Sequence, residues 1–190
     1  MSDAMQRLID KDLIRDVMLR YARGVDRRDW ALVRAAFFED GEDEHADFKG
    51  TRDAFIAWVR ERHDAPGLLT STHFLGNCLV ELASDRVAAV ETYFFARLEI
   101  APQASEHRSM LDAKHAGSTH NSRVEVFGRY VDRFEKRDGE WRIARRRTVF
   151  DAIQSQLVDP ADNVLNPAWT LGRRGPDDPV FAVRTEAGLG

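Results

Sequence analysis

The stretch RVEVFGRYVDRFEKRDGEWRIARRRTVFDAI, residues 123–153, contains two long runs of β-branched and aromatic residues separated by Asp138-Gly139. An Asp-Gly pair between such runs is among the strongest short-range signals for a tight β-hairpin. Two similar runs, STHFLGNCLVELA and RVAAVETYFFARLEI, come earlier in the chain and are separated by Ser84-Asp85. These four segments predict long antiparallel strands joined by short turns.

The residues before these strands have apolar side chains at helical spacing. We expect a first helix over about residues 6–25. A second helix is expected after its cap Asp29, with an inward-facing side that extends to Phe37, and a third helix after its cap Thr51. Residues 39–50 predict a turn and a short strand. Three helices followed by long strands, without alternating βαβ units, indicate an α+β domain.

The 190 residues suit one domain over residues 1–153, followed by an extended tail over residues 154–190 with Trp169 and Phe181 as possible anchors. Pro102–Ser122 predicts a long polar loop. The 28 basic and 32 acidic residues give a net charge of −4, which disfavours nucleic-acid binding. One cysteine and no long apolar run predict a cytoplasmic protein without membrane contact.

Asp26 interrupts the apolar pattern of the first helix. Four-residue steps from Ile14 through Met18 and Ala22 reach Asp26, where an apolar side chain is expected. If the helix extends that far, the carboxylate points at the core and needs a partner. A purely structural interpretation makes Asp26 the cap of the next helix or the partner of a nearby arginine.

His73 lies near the start of the first long strand, where alternation places it with Leu75, Asn77 and Leu79 on one face. A histidine in a strand is commonly structural, but its pKa also suits proton transfer near neutral pH. An aspartate bonded to the second ring nitrogen would fix the tautomer. Asp26 is a candidate for that role, which the sequence separation leaves open.

Three consecutive arginines occupy the last long strand. Alternation places Arg145 and Arg147 on one face with Trp141 and Ile143, and Arg146 on the other. The three arginines therefore do not predict one basic patch.

Arg146 either pairs with an internal acid such as Asp26 or Glu91, or holds a carbonyl or leaving group of a ligand. Tyr21, on the inner face of the first helix, is either a core residue or a hydrogen-bond donor to an enolate oxygen.

The other histidines do not predict a metal site. His107, His115 and His120 are irregularly spaced, and His45 and Asp47 would need distant ligands. The sequence also lacks the glycine-rich motifs of dinucleotide and phosphate sites and the GxSxG element of serine hydrolases. We therefore expect no metal and no cofactor.

Four segments together resemble a SnoaL-like member of the NTF2-like superfamily. They are Tyr21–Trp30 (YARGVDRRDW), Phe37–Asp40 (FFED), Thr70–His73 (TSTH) and Phe134–Ile143 (FEKRDGEWRI). The resemblance spans about residues 5–153. It implies a cone in which helices and a strongly curved antiparallel or mixed sheet enclose one pocket.

The sharper resemblance is to the branch that contains scytalone dehydratase, hexachlorocyclohexane dehydrochlorinase and bile-acid 7α-dehydratase. It implies that Asp26 supports His73 as a base, and that Arg146 matches the arginine of the dehydrochlorinase. Tyr21 matches the tyrosine of the bile-acid dehydratase. The second pocket tyrosine and second histidine of scytalone dehydratase have no counterpart that the sequence identifies.

This resemblance implies a cofactor-independent lyase, dehydratase-like or dehydrohalogenase-like, that abstracts a carbon-bound proton from a small hydrophobic cyclic substrate. One alternative is an isomerase or cyclase, which shares the proton abstraction. Another is a non-catalytic ligand-binding or assembly module, because a fold alone does not define an activity. The resemblance also implies a homo-oligomer, either a trimer or a dimer.

Overall fold

The computed structural model describes residues 3–159, 161 and 165–189, with the side chain of residue 106 excluded. The helices are α1 (Asp3–Arg27), α2 (Trp30–Ala35), α3 (Arg52–Asp64), α4 (Ser105–Leu111) and α5 (Pro179–Glu186). The strands are β1 (Phe37–His45), β2 (Phe48–Thr51), β3 (Leu68–Leu82), β4 (Val87–Ile100), β5 (Asn121–Arg137) and β6 (Glu140–Val158).

The six strands form one mixed sheet in the order β2-β1-β6-β5-β4-β3. The β1–β6 pair is parallel, and the other neighbouring pairs are antiparallel. The hairpins predicted at Ser84-Asp85 and Asp138-Gly139 are present, and both residues of the second turn have positive φ, at 52° and 84°. Helices packed on an open mixed sheet confirm the predicted α+β class.

Helix α1 buries Ile14, Met18 and Ala22 and ends two residues after the predicted position, so Asp26 is helical and buried. Asp29 caps α2 by accepting a hydrogen bond from Leu32 N at 3.0 Å, as predicted. Helix α2 is shorter than predicted because the chain becomes extended at position 37. The cap of the second helix is therefore Asp29 and not Asp26.

Beta-bulges change which side chains face inward. In β3, Gly76 and Asn77 both lie opposite Tyr93, so the inward positions after the bulge include Cys78 and not Asn77. The predicted grouping of His73 with Asn77 and Leu79 is therefore wrong beyond Leu75. A side chain changes face wherever one strand gains a residue that its neighbour lacks.

A second bulge lies immediately before the arginine run. Ala144 is the extra residue between the pairs Arg133–Arg145 and Phe134–Ile143. Ile143 and Arg146 therefore share the buried face of β6, whereas Arg145 is exposed. The prediction that Ile143 shares a face with Arg145 is wrong, since the bulge reverses the alternation.

Gly128 in β5 allows the β6 backbone and the Phe94 ring to approach the strand closely. A Cβ atom at this position would lie 2.3 Å from the Val149 carbonyl oxygen and 2.7 Å from Phe94 Cζ. Because backbone and an aromatic ring occupy that space, a larger residue cannot be accommodated without a shift of the strand. Gly128 thus leaves space for the Phe94 ring, which stacks on Tyr130 at 4.5 Å between centroids.

The predicted loop at residues 102–122 contains helix α4 and a short 3₁₀ turn at Ala113–His115. Strand β6 continues to Val158, five residues into the predicted tail, and α5 lies near the end of that tail. Residues 160, 162–164 and 190 of the tail are outside the described residues. The division at residue 153 stays a prediction. Within the described residues, no helix is long and apolar enough to cross a lipid bilayer.

Candidate active site

A cavity of about 130 Å³ lies between the helices and the inner face of the sheet. An engineered apolar cavity of about 150 Å³ holds one benzene molecule, so this volume suits a single ring. Its walls are largely aromatic and aliphatic, with Trp58, Phe94, Leu98 and Phe150 among them. Apolar walls with a few polar groups are typical of a small-molecule site.

The Asp26 and His73 side chains meet at the wall of this cavity. The distance between Asp26 Oδ1 and His73 Nδ1 is 2.7 Å. Asp26 Oδ2 also accepts a hydrogen bond from the backbone N of His73 at 2.8 Å, and Oδ1 accepts one from Ser71 Oγ at 3.3 Å. The last turn of α1 is thus held against β3 by one buried carboxylate with three donors.

These contacts define the proton positions on His73. An ionised carboxylate only accepts hydrogen bonds, so Nδ1 carries the proton in the neutral ring. Nε2 then keeps its lone pair, and it makes no hydrogen bond to any described residue. His73 lines the cavity, so a basic nitrogen is available to a bound molecule.

Two tyrosines contribute to the same wall. Tyr21, predicted from the sequence, and Tyr130, which the sequence did not single out, both line the cavity and are buried. Their ring centroids are 5.6 Å apart in an edge-on arrangement. Burial raises the pKa of both phenols, so both remain protonated hydrogen-bond donors near neutral pH. Tyr130 lies four residues after Val126 in β5, so both side chains point to the same face of the sheet. This alternation was the sequence signal for Tyr130.

Arg146 lies behind these tyrosines and is not part of the cavity lining. Its guanidinium carbon is 4.2 Å from the ring centroids of both Tyr21 and Tyr130. It donates to both carboxylate oxygens of Asp132, at 2.8 and 2.7 Å. The partner acid is therefore Asp132 and not Asp26 or Glu91. Arg146 supports the tyrosines from behind, which places it away from direct contact with a ligand.

Asp43 of β1 lies opposite Arg146 in the parallel pair of strands β1 and β6. Neither carboxyl oxygen of Asp43 has a hydrogen-bond partner among the described residues, and burial raises the pKa of Asp43 to about 7. Burial also raises the pKa of Asp132, and the pairing with Arg146 opposes that rise. In the cluster of Asp43, Asp132 and Arg146, the positive charge of one guanidinium thus opposes the desolvation of two buried carboxyl groups.

We expect Asp132→Asn to destabilise the fold by about 3 to 5 kcal/mol, because it leaves the buried Arg146 charge without its carboxylate. The matched control is Arg145→Gln, which removes an exposed pair with Glu42 and should change stability by less than about 1 kcal/mol. Urea unfolding of both variants measures the difference. Equal losses for the two variants would contradict this assignment of the buried pair.

Three further histidines line the cavity: His45, His63 and His107. Burial lowers the pKa of His45 to about 3 and that of His107 to about 4, so both are neutral near pH 7. The sequence contained a signal for His63, which continues the buried four-residue steps of α3 from Phe55 and Val59. Within the described part of the chain, no cluster of three or more metal-ligating side chains occurs.

Helices packed on an open mixed sheet, with an acid–histidine contact at an apolar cavity, define an α+β fold with a candidate small-molecule site. Residues 6–147 match the SnoaL-like domain family, and the chain belongs to that family within the NTF2-like superfamily. No functionally curated protein matches the sequence significantly.

Solved structures with related folds share little sequence with this chain. A putative scytalone dehydratase from Novosphingobium aromaticivorans is 20% identical, with a TM-score of 0.64, over 85% of this chain and 99% of that chain. A hexachlorocyclohexane dehydrochlorinase from Novosphingobium barchaimii is 16% identical, with a TM-score of 0.67, over 83% and 100%. A protein of unknown function from Mycobacterium tuberculosis is 21% identical, with a TM-score of 0.60, over 98% and 90%. At these identities the similarity shows the shared fold.

Proposed function

We propose that this protein is a cofactor-independent lyase, dehydratase-like or dehydrohalogenase-like, with His73 as its base. The observation that carries the proposal is the 2.7 Å contact between Asp26 Oδ1 and His73 Nδ1 at the wall of an apolar cavity. The similarity to a putative scytalone dehydratase and to a dehydrochlorinase supports the same class. The substrate is a small hydrophobic cyclic compound.

In this mechanism, His73 Nε2 removes a proton from a carbon next to a carbonyl group. The C–H electron pair forms an enolate, and its collapse expels hydroxide or halide from the neighbouring carbon to give a double bond. Asp26 stabilises the imidazolium, which then returns its proton to departing hydroxide as water. Tyr21 and Tyr130 donate hydrogen bonds to the enolate oxygen, and Arg146 positions the two rings.

The competing functions predict different properties of this site. A domain interior without a cavity, or a distance between Asp26 and His73 too long for a hydrogen bond, would favour a non-catalytic module. The cavity and the 2.7 Å contact between these two side chains favour catalysis. An isomerase would share the base but would return the proton to another carbon of the substrate. Product mass therefore separates a lyase from an isomerase.

We expect a screen of hydroxylated and halogenated single-ring ketones to yield a product that has lost water or hydrogen halide. Mass spectrometry detects that loss directly. Incubation in D₂O adds a second measurement, since reversible proton abstraction introduces deuterium next to the carbonyl even when elimination is slow. A product of unchanged mass with a shifted double bond would instead assign the isomerase function.

The proposal includes a homo-oligomer, either a trimer or a dimer. The outer face of the sheet carries exposed apolar side chains, including Phe74, 69% exposed, and Phe127, 42% exposed. Exposed apolar groups that lie together are typical of interaction sites. Tyr93 and Phe95 lie beside them on the same face.

We expect the double variant Phe74→Asp and Phe127→Asp to shift the protein to monomers, measured by light scattering after size-exclusion chromatography. Two carboxylates introduced into an apolar contact remain unpaired and must be desolvated, which opposes association. The control is Leu8→Asp, at a residue on α1 that is 64% exposed. Unchanged mass in the double variant would exclude this face as the interface.

A further inference from the structure

One residue of the C-terminal segment, Arg174, contacts a side chain that lines the cavity. Arg174 Nη2 lies 2.9 Å from Nδ1 of His63, a cavity-lining residue in the last turn of α3. Arg174 Nη1 donates to the Leu68 carbonyl oxygen at 2.9 Å. Leu68 begins β3, the strand that also carries His73. Arg174 therefore joins α3 to the start of the strand that carries the base.

Charged residues hold this segment in place. Asp178 is buried and lies 3.2 Å from Arg27 Nε at the end of α1. Asp178 also accepts hydrogen bonds from the backbone N atoms of Arg173 and Val180, at 2.8 and 3.1 Å. Trp169, predicted as an anchor, is 60% exposed. The position of Arg174 is thus fixed by Asp178 on one side and by His63 on the other.

The contact with Arg174 determines the tautomer of His63. A guanidinium has donors and no acceptor, so the His63 nitrogen that faces it must be unprotonated. Burial and the Arg174 charge lower the pKa of His63 well below its usual range, so the ring is neutral. A neutral imidazole with a bare Nδ1 carries its proton on Nε2. That nitrogen makes no hydrogen bond to any described residue.

We propose that His63, held by Arg174 as its Nε2–H tautomer, donates a hydrogen bond to an oxygen atom of the bound substrate. This assignment rests on the proposed function for the identity of the substrate, and adds the group that recognises it. The two histidines then have opposite roles at one cavity. His73 presents a lone pair, because an acceptor faces its Nδ1, and His63 presents a proton, because a donor faces its Nδ1.

This pairing restricts the substrate class. The cavity volume of about 130 Å³ suits one ring, and the His63 donor favours a ring that carries a carbonyl or oxyanion oxygen. A ring without such an oxygen leaves the Nε2–H without an acceptor, which is unfavourable in a dry site. We therefore expect cyclic ketones to bind better than hydrocarbons of the same shape.

The first test is the tautomer itself, measured by ¹⁵N NMR on histidine-labelled protein. We expect His63 to show a protonated Nε2 and an unprotonated Nδ1, and Arg174→Met to lose that preference. The control is Arg173→Met, which changes the neighbouring arginine, exposed and only weakly paired with Asp177 at 3.8 Å. A wild-type His63 protonated on Nδ1 would overturn the proposal.

The second test compares cyclohexanone with methylenecyclohexane, which differ in one oxygen atom, by chemical-shift titration of the full chain. We expect Arg174→Met and His63→Phe to weaken cyclohexanone binding by about threefold to tenfold and to leave methylenecyclohexane within about twofold. Equal weakening of both probes, or of neither, would contradict a donor role. If His63→Phe does not fold, Arg174→Met decides the comparison alone.

These measurements do not depend on turnover. If His73 proves dispensable for catalysis while the ketone preference follows His63 and Arg174, the proposed lyase mechanism fails and the recognition site stands. If His73 is required and the ketone preference is unaffected by both variants, the mechanism stands and the recognition site fails.

Discussion

His73→Ala is expected to lower kcat by about 10² to 10⁴-fold on any substrate that the protein converts, with little change in fold. General-base catalysis contributes a factor of this size. His73 lines the cavity with a free lone pair on Nε2, and the Asp26 carboxylate on its Nδ1 stabilises the imidazolium that forms when Nε2 takes a proton. Steady-state kinetics and circular dichroism of the variant measure the two effects separately.

The control for this substitution is His120→Ala. His120 is exposed and is not among the residues that line the cavity, so its loss should leave kcat within about twofold of the parent protein. Wild-type turnover by His73→Ala on an identified substrate would eliminate His73 as the base. The proposed lyase mechanism would then be wrong whatever the product.

Asp26→Asn is expected to reduce kcat by about 10³ to 10⁴-fold, an effect of the kind known for the aspartate of serine proteases. Two of the three donors to Asp26 belong to His73, namely Nδ1 at 2.7 Å and the backbone N at 2.8 Å, and they contact different carboxylate oxygens. An asparagine has only one oxygen for them. If that oxygen faces the backbone N–H, the amide NH₂ faces Nδ1 and forces the proton of His73 onto Nε2. The base then has no lone pair toward the cavity.

The opposite orientation of the asparagine is also unfavourable. Its NH₂ group would face the backbone N–H of His73, which places two donors against each other in a buried site. Asp29→Asn makes the same chemical change three residues away, where asparagine caps a helix as well as aspartate does. We expect Asp29→Asn to keep normal kinetics. Near-normal kinetics in Asp26→Asn would show that the carboxylate does not set the tautomer.

Much of the fold was predictable because its signals are local. The Asp138-Gly139 turn, the Asp29 and Thr51 caps and the buried stripe of α1 each depend on residues within a few positions of one another. The predicted facing of side chains failed where one strand carries a residue more than its neighbour. The extra residue Ala144 places Ile143 on the face of Arg146 and not of Arg145, and no periodicity within β6 alone shows the register of β5.

The candidate site was predictable only as separate residues. Asp26 stood out because it occupies an apolar position of a helix, and the same reasoning applied to α3 identifies His63. The partner of Arg146 was not predictable from its neighbours in the chain. Asp132 is 14 residues away, and strand register brings it to the guanidinium.

The sequence by itself determined the class of fold, the family and the unusual acid at the end of α1. These properties are encoded in periodicity, turn residues and caps, which act over short distances along the chain. Only the tertiary structure decided three features: the distance from Asp26 to His73, the position of Arg146 behind two tyrosines, and the contact between Arg174 and His63. Hydrogen bonds and buried charges depend on tenths of an ångström between residues far apart in sequence, and bulges and packing set those distances.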